Sequence, residues 1–244
     1  VAGNAAAQVT SASFTVDTTL PTINAIATSA FSWGSHLNAT EDNSNGTVSV
    51  TTSGVEDGQT VTITLNSATY TANVSSNAAT VTITASGLQA LSEGSETLTA
   101  DVSDVAGNAA AQVTSASFTV DTVLPTLVSA ITGDNNSDGT VDRLVLTFSE
   151  QVDLTSVDNN NFTLTESTGG SSLAISGSYS SSDQTTVTLT LTGVTANNTS
   201  LTISPNYDDG TGTIKDNAGN EMSFSEDVAG TDGVAPTINA IATS

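Results

Sequence analysis

The sequence predicts an all-β chain made of tandem antiparallel β-sandwiches set in an elongated array. Three observations carry that expectation. Apolar residues alternate with Thr and Ser at a period of two over most of the chain, the mark of half-buried strands. Short clusters of Gly, Asn, Asp and Ser separate these runs at intervals too small for helices. Finally, the eighteen residues Val105-Ala-Gly-Asn-Ala-Ala-Ala-Gln-Val-Thr-Ser-Ala-Ser-Phe-Thr-Val-Asp-Thr122 repeat residues 1–18 letter for letter. Pro21-Thr-Ile-Asn-Ala-Ile-Ala-Thr-Ser29 likewise returns at 236–244. A repeat spaced about one hundred residues apart signals one architecture used in series.

The repeats set the expected boundaries: residues 1–18 as the last strand of one sandwich, 19–122 and 123–235 as two whole domains, and 236–244 as the first strand of another. Each whole domain is long enough to bury its own core. Pro21, Pro125 and Pro236 each open a domain, where a missing N–H is harmless and a fixed φ stiffens the entry.

In the first domain, residues 22–28 are the candidate first strand, A. Val48 and Val50 share a face of B, and Val61, Ile63 and Leu65 share a face of C. Tyr70, Ala72 and Val74 belong to D, Val81 and Ile83 to E, Leu98, Ala100 and Val102 to F, and Val113, Phe118 and Val120 to G. Ser53-Gly54, Asp57-Gly58 and Ser76-Asn77 read as turns. Residues 87–94 read as one helical turn, with Leu88 and Leu91 plugging the end of the sandwich, and Trp33 as a lid over the core. Seven short strands in about one hundred residues describe an immunoglobulin-like sandwich. The second domain keeps the frame in different letters: Leu144, Leu146 and Phe148; Phe162 and Leu164; Leu173 and Ile175; Val187, Leu189 and Leu191; Leu201 and Ile203; Met222 and Phe224.

Charge is lopsided. Twenty-five Asp and Glu face only Arg143 and Lys215, for a formal net charge of −23. Phosphate backbones need many cationic contacts, so nucleic acid is excluded as a partner, and an anionic lipid surface would repel the chain. No apolar run is long enough to insert in a membrane. With no cysteine there is neither a disulfide framework nor thiol chemistry. His36 is the only histidine, so no catalytic triad and no His-based metal site can be assembled, and an enzyme is not expected. The acids either keep the surface solvated or wait for cations.

Topology favours the second. In a seven-strand sandwich the B–C and F–G loops return to the pole where the chain enters. In the first domain this gathers Glu56, Asp57, Asp101, Asp104 and Asn108 where Asp17 arrives. In the second it gathers Glu150 and Asp153 with Asp208, Asp209, Asp216, Asn217 and Asn220 where Asp121 arrives, and Asp232 precedes the next proline. Carboxylates crowded at one pole repel, and Ca²⁺, which takes six to eight oxygens, relieves the repulsion. A further motif, Asp134-Asn-Asn-Ser-Asp-Gly-Thr-Val-Asp142, matches D-x-[DN]-x-[DN]-G-x-x-D. Asp134, Asn136 and Asp138, the carbonyl of Thr140 and the carboxylate of Asp142 would wrap one Ca²⁺, with Gly139 permitting the turn. Val145 stands where a helix-loop-helix hand has its bidentate Glu, so this is a hairpin version that needs another ligand or water.

These residues resemble a family. Gly54-Val-Glu-Asp-Gly-Gln-Thr-Val-Thr62, Leu98-Thr-Ala-Asp-Val-Ser-Asp-Val-Ala-Gly-Asn-Ala109 and Phe118-Thr-Val-Asp-Thr-Val-Leu-Pro-Thr126 are similar to the bacterial immunoglobulin-like repeats of giant repeats-in-toxin and biofilm-associated adhesins. Residues 138–153 resemble a second bacterial subtype. The resemblance implies type I secretion, display at the cell surface, and calcium-rigidified extender modules that hold a distal binding domain away from the cell. It places junction calcium ligands on Asp17 and Asp121 and on the Asp and Asn of each F–G loop. Gln151 departs from the Pro of many relatives.

Two other functions stay open on the sequence. A sugar- or protein-binding module would need exposed aromatics, for which Tyr207 is the loop candidate. A filament subunit would use residues 1–18 for strand exchange with another copy.

Overall fold

The computed structural model describes residues 2–137, 140–158, 161–166, 174–192, 203–207, 213–222 and 228–234. The chain separates into two compact units, Val1–Ser35 with Glu41–Val120 and His36–Thr40 with Asp121–Ser244. Leu173, Leu201, Phe224 and residues 236–244, all read above as strand residues, lie outside the described residues.

Both units are built from strands. In the first, β1 (Thr22–Ile23), β3 (Gly46–Ser53) and β6 (Ala78–Ile83) form one sheet in the order β1-β3-β6, while β2 (His36–Leu37) belongs to the second unit. The facing sheet runs β5-β4-β8-β9, from β4 (Thr60–Leu65), β5 (Ala68–Asn73), β8 (Thr99–Asp101) and β9 (Val113–Thr114). β7 (Gly94–Glu96) pairs antiparallel with β10 (Phe118–Val120). The alternation read from the sequence is realised: Val48, Val50, Val61, Ile63, Val81 and Ile83 are fully buried, and the Thr and Ser between them look outward. Positive φ at Asn66 and Ser67, and at Ser76 and Asn77, makes the two-residue turns whose twist matches that of the flanking strands. Trp33 is a lid as expected. It is 5% exposed, stacked on Phe31 at 5.1 Å and set edge-on to Phe118 at 5.5 Å.

Several elements differ from the reading. Strand A is only Thr22–Ile23 and gives way to a 3₁₀ turn at Thr28–Ala30. The helical turn is α1 (Ala85–Leu88), not residues 87–94. Thr84 starts it by accepting the Gly87 N–H at 3.2 Å on its Oγ1, an N-cap that competes successfully with Gly87 as the start. Leu88 is buried as expected, while Leu91 is only half-buried. Strand G is broken between β9 and β10, where the Ala116 N–H turns aside to donate to the Ile26 carbonyl at 2.8 Å.

The second unit holds a five-stranded sheet in the order β14-β15-β12-β11-β17, from β11 (Leu127–Gly133), β12 (Arg143–Phe148), β14 (Ala174–Ser180), β15 (Thr186–Thr192) and β17 (Gly230–Thr231). β13 (Phe162–Glu166) pairs with β16 (Ile203–Tyr207). The core gathers Leu144, Leu146, Phe148, Val152, Val187 and Leu189 with Ile214 and Met222, which flank the Asp216–Asn220 loop. β17 lies parallel to β11, with Ala130 opposite Gly230 and Ile131 opposite Thr231. No described helix is long and apolar enough to cross a membrane.

Candidate metal centre

Two loops of nearly identical sequence organise the acidic residues: Asp104-Val-Ala-Gly-Asn108 in the first unit and Asp216-Asn-Ala-Gly-Asn220 in the second. Each folds on itself in the same way. The Asp104 N–H donates to the Asn108 carbonyl at 3.0 Å and the Gly107 N–H to the Asp104 carbonyl at 3.1 Å; the counterparts in the second loop are 3.1 and 3.2 Å. The Asn108 N–H and Nδ2 donate to the two carboxylate oxygens of Asp104 at 2.7 and 2.8 Å, and Asn220 does the same to Asp216 at 2.9 and 2.7 Å. Gly107 and Gly219 sit at φ of +88° and +92°, a conformation that only glycine takes without strain.

Each closed loop then captures the residue that enters its unit. Asn108 Nδ2 donates to the Asp17 carbonyl at 3.1 Å, and Asn220 Nδ2 donates to the Asp121 carbonyl at 2.8 Å. The asparagine amide is the latch in both. The donors around Asp104, Asn108 first, hold its carboxyl below the ordinary aspartate range.

In the second unit the latch completes a carboxylate group. Asp121, Glu150 and Asp216 place one oxygen each within 4.8 Å of one another, with Asp216 3% exposed and the other two half-buried. At that spacing each pair of charges repels by about 3 kcal/mol in a medium of effective dielectric 20. Of the two cationic side chains, Lys215 pairs through Nζ with Glu221 at 3.1 Å, and Arg143 lies against Gly133. An all-oxygen, all-anionic donor set of this size fits a hard divalent ion such as Ca²⁺. The second unit adds support around it. The Asp121 N–H donates to the Leu37 carbonyl at 3.0 Å, the Ala39 N–H donates to Asn220 Oδ1 at 2.7 Å, and Asn38 Nδ2 donates to the Ala218 carbonyl at 3.2 Å. Residues 36–40 carry no acidic or motif signal. Apart from the lone His36 nothing in the sequence singles them out, because they contribute mainly backbone groups.

The other residues read from the sequence are distributed as follows. Glu56 does reach the first loop, its Oε2 accepting the Val105 N–H at 3.0 Å. Asp57 instead caps the neighbouring turn through the Ser76 N–H at 2.7 Å, and Asp101 lies in β8 and accepts from Gln112 at 2.9 Å. Asp153 holds Thr155 through both carboxylate oxygens. In the 134–142 loop, Asp134 accepts the Ser137 N–H and Asp142 the Asn135 N–H, each at 2.7 Å; Asn136 is exposed and Thr140 half-buried. Asp138 and Gly139, and likewise Asp208 and Asp209, lie outside the described residues. Asp232 is exposed and accepts the Val234 N–H at 2.9 Å.

A sandwich of short antiparallel strands, with acidic loops latched onto the entering chain, is an immunoglobulin-like arrangement. Residues 121–230 match the bacterial Ig-like domain model. A bacterial immunoglobulin-like domain from the M. primoryensis ice-binding adhesin is 32% identical, over 42% of this chain and 96% of that one, with a TM-score of 0.29. The chain belongs to the bacterial Ig-like family. A Ca²⁺-stabilised adhesin by which an Antarctic bacterium reaches out and binds ice is 20% identical, over 88% of this chain and 48% of that one, with a TM-score of 0.36. A tetra-tandem repeat in the extending region of a large adhesion protein is 20% identical, over 88% of this chain and 49% of that one, with a TM-score of 0.30. The chain thus spans about half the length of these last two. No curated protein matches it.

Proposed function

We propose that the chain is a non-catalytic extender segment of a large, secreted bacterial adhesin, stiffened by Ca²⁺, that carries a distal ligand-binding region away from the cell surface. The observation that carries this reading is the group Asp121, Glu150 and Asp216, closed by the Asn220 latch on the residue that enters the second unit. Calcium held there ties the entering chain to the loops of the sandwich and removes freedom at the junction. Asp17, Glu56, Asp104 and Asn108 take the same part in the first unit, and the Asp134–Asp142 loop takes a further ion. The domain boundaries proposed are those of the repeats, with neighbouring Ig-like repeats as the partners of each unit. The name of the calcium-stabilised relative supports the choice of ion. Sugar binding is the weaker reading: Phe31 and Trp33 are both buried in the core, leaving no aromatic face of theirs for a sugar ring.

Chelation tests the proposal. In millimolar Ca²⁺ the melting temperature and the scattering-derived length both exceed their values in EDTA, and Asp216→Asn removes the difference. Equal melting temperature and equal length in the two conditions would overturn it.

A further inference from the structure

Asn220 is buried and uses every polar edge it has. Its Nδ2 donates to Asp216 Oδ2 at 2.7 Å and to the Asp121 carbonyl at 2.8 Å, and its backbone N–H donates to Asp216 Oδ1 at 2.9 Å. Its carbonyl accepts the Asp216 N–H at 3.1 Å. The last edge, Oδ1, accepts the Ala39 N–H at 2.7 Å. A side-chain amide has one acceptor end and one donor end. Ala39 claims the acceptor end, so the donor end is turned onto Asp121 and Asp216.

The neighbours of Ala39 extend the contact within the second unit. Asn38 Nδ2 donates to the Ala218 carbonyl at 3.2 Å, and Asn38 Oδ1 accepts the Thr40 N–H at 3.0 Å, which holds that side chain in place. Gly219 leaves room for it, since a Cβ there would lie 3.4 Å from Asn38 Nδ2. The Leu37 carbonyl accepts the Asp121 N–H at 3.0 Å. Asp121 is thus gripped on both sides of its backbone, by Leu37 at the N–H and by Asn220 at the carbonyl. Every one of these groups is neutral. Asp121, Glu150 and Asp216 repel one another when no cation lies among them. A group that parts when empty has to be ordered again at each binding event, at a cost in affinity.

We infer that residues 37–40 are a metal-independent rack that keeps Asp121 and Asp216 gathered before an ion arrives, with Asn38 and the Ala39 N–H as positioning groups for the divalent cation. The inference rests on the calcium reading above and adds what sets the affinity of that site. The rack lends the ion no charge; it acts through Asn220, Ala218 and the backbone of Asp121.

Calcium titration calorimetry on the full chain, well below its melting transition, tests this. The step to follow is the one that Asp216→Asn removes. Asn38→Ala deletes one contact, and Ala39→lactic acid puts an ester oxygen where the Ala39 N–H was. Each is expected to raise the Kd of that step at least about fivefold, the effect of losing one supporting hydrogen bond. Asn24→Ala, which loses a bond of the same kind to Thr51 Oγ1 at 3.0 Å, is expected to leave it unchanged. Melting temperatures in EDTA separate positioning from mere support. A purely structural role lowers the melting temperature of the empty protein and leaves the Kd of the folded one where it was. An unchanged Kd in either folded variant overturns the inference and leaves the calcium reading standing. A wild type with no calcium step sensitive to Asp216→Asn overturns both.

Discussion

The loops Asp104–Asn108 and Asp216–Asn220 differ by one letter, share four internal hydrogen bonds, and hold the entering residue with the same asparagine amide, yet among the described residues only the second faces a group of acids. Opposite Asp104 stands Glu56, which spends an oxygen on the Val105 N–H. Opposite Asp216 stand Glu150 and Asp121 together. The loop is therefore a latch first. What the B–C loop brings over it is where the two units differ.

The largest expected contrast is in calcium dependence. At Ca²⁺ concentrations about 100 to 1,000 times Kd, the unfolding transition of the second unit should gain about 3–4 kcal/mol, and that of the first unit less. Scanning calorimetry of wild type, Asp216→Asn and Asp104→Asn checks this. The first substitution is expected to erase the larger gain, and the second to leave it. Next come the latches. Asn220 is 2% exposed and Asn108 half-buried, so Asn220→Ala strips a buried carboxylate of its donor and costs about 2–3 kcal/mol, against about 1 kcal/mol for Asn108→Ala. Urea titrations that rank the two variants the other way would break the comparison.

The glycines should show no contrast. Gly107→Ala and Gly219→Ala each force a side chain into a positive-φ conformation and cost about 1–2 kcal/mol alike, measurable in the same titrations. The smallest effect is on pH dependence. The Asp104 carboxyl ionises more readily in the fold than in the unfolded chain, so its contribution is present above the ordinary aspartate range and is lost as pH falls through its lowered folded value. Asp104→Asn should flatten that acid-side loss in a melting-temperature profile between pH 2 and pH 6, relative to wild type.

The strands were legible because a period of two is a local property: Val48 and Val50, or Leu144 and Leu146, announce their face without reference to anything distant. The loops were legible because Asp-x-Ala-Gly-Asn appears twice in otherwise unlike surroundings. Which acids meet was not. Asp57 and Glu56 are adjacent in sequence and both lie in the B–C loop, but the Ser76 N–H takes one and the Val105 N–H the other. Composition and spacing count carboxylates without showing which donor reaches each first. Residues 36–40 escaped for a related reason, since a backbone N–H such as that of Ala39 leaves no trace in the side-chain pattern.

The parallel pairing of β11 with β17 has a mechanical meaning. These are the first and last described strands within residues 121–244, and the Thr132 hydroxyl stitches them further, donating to the Thr231 carbonyl at 3.3 Å and accepting the Gly233 N–H at 3.2 Å. When such a unit is tugged from its two termini, parallel neighbours are dragged past each other along their length. Their bonds resist together instead of parting one by one like a zipper. In the extender proposed above, that seam would carry the load.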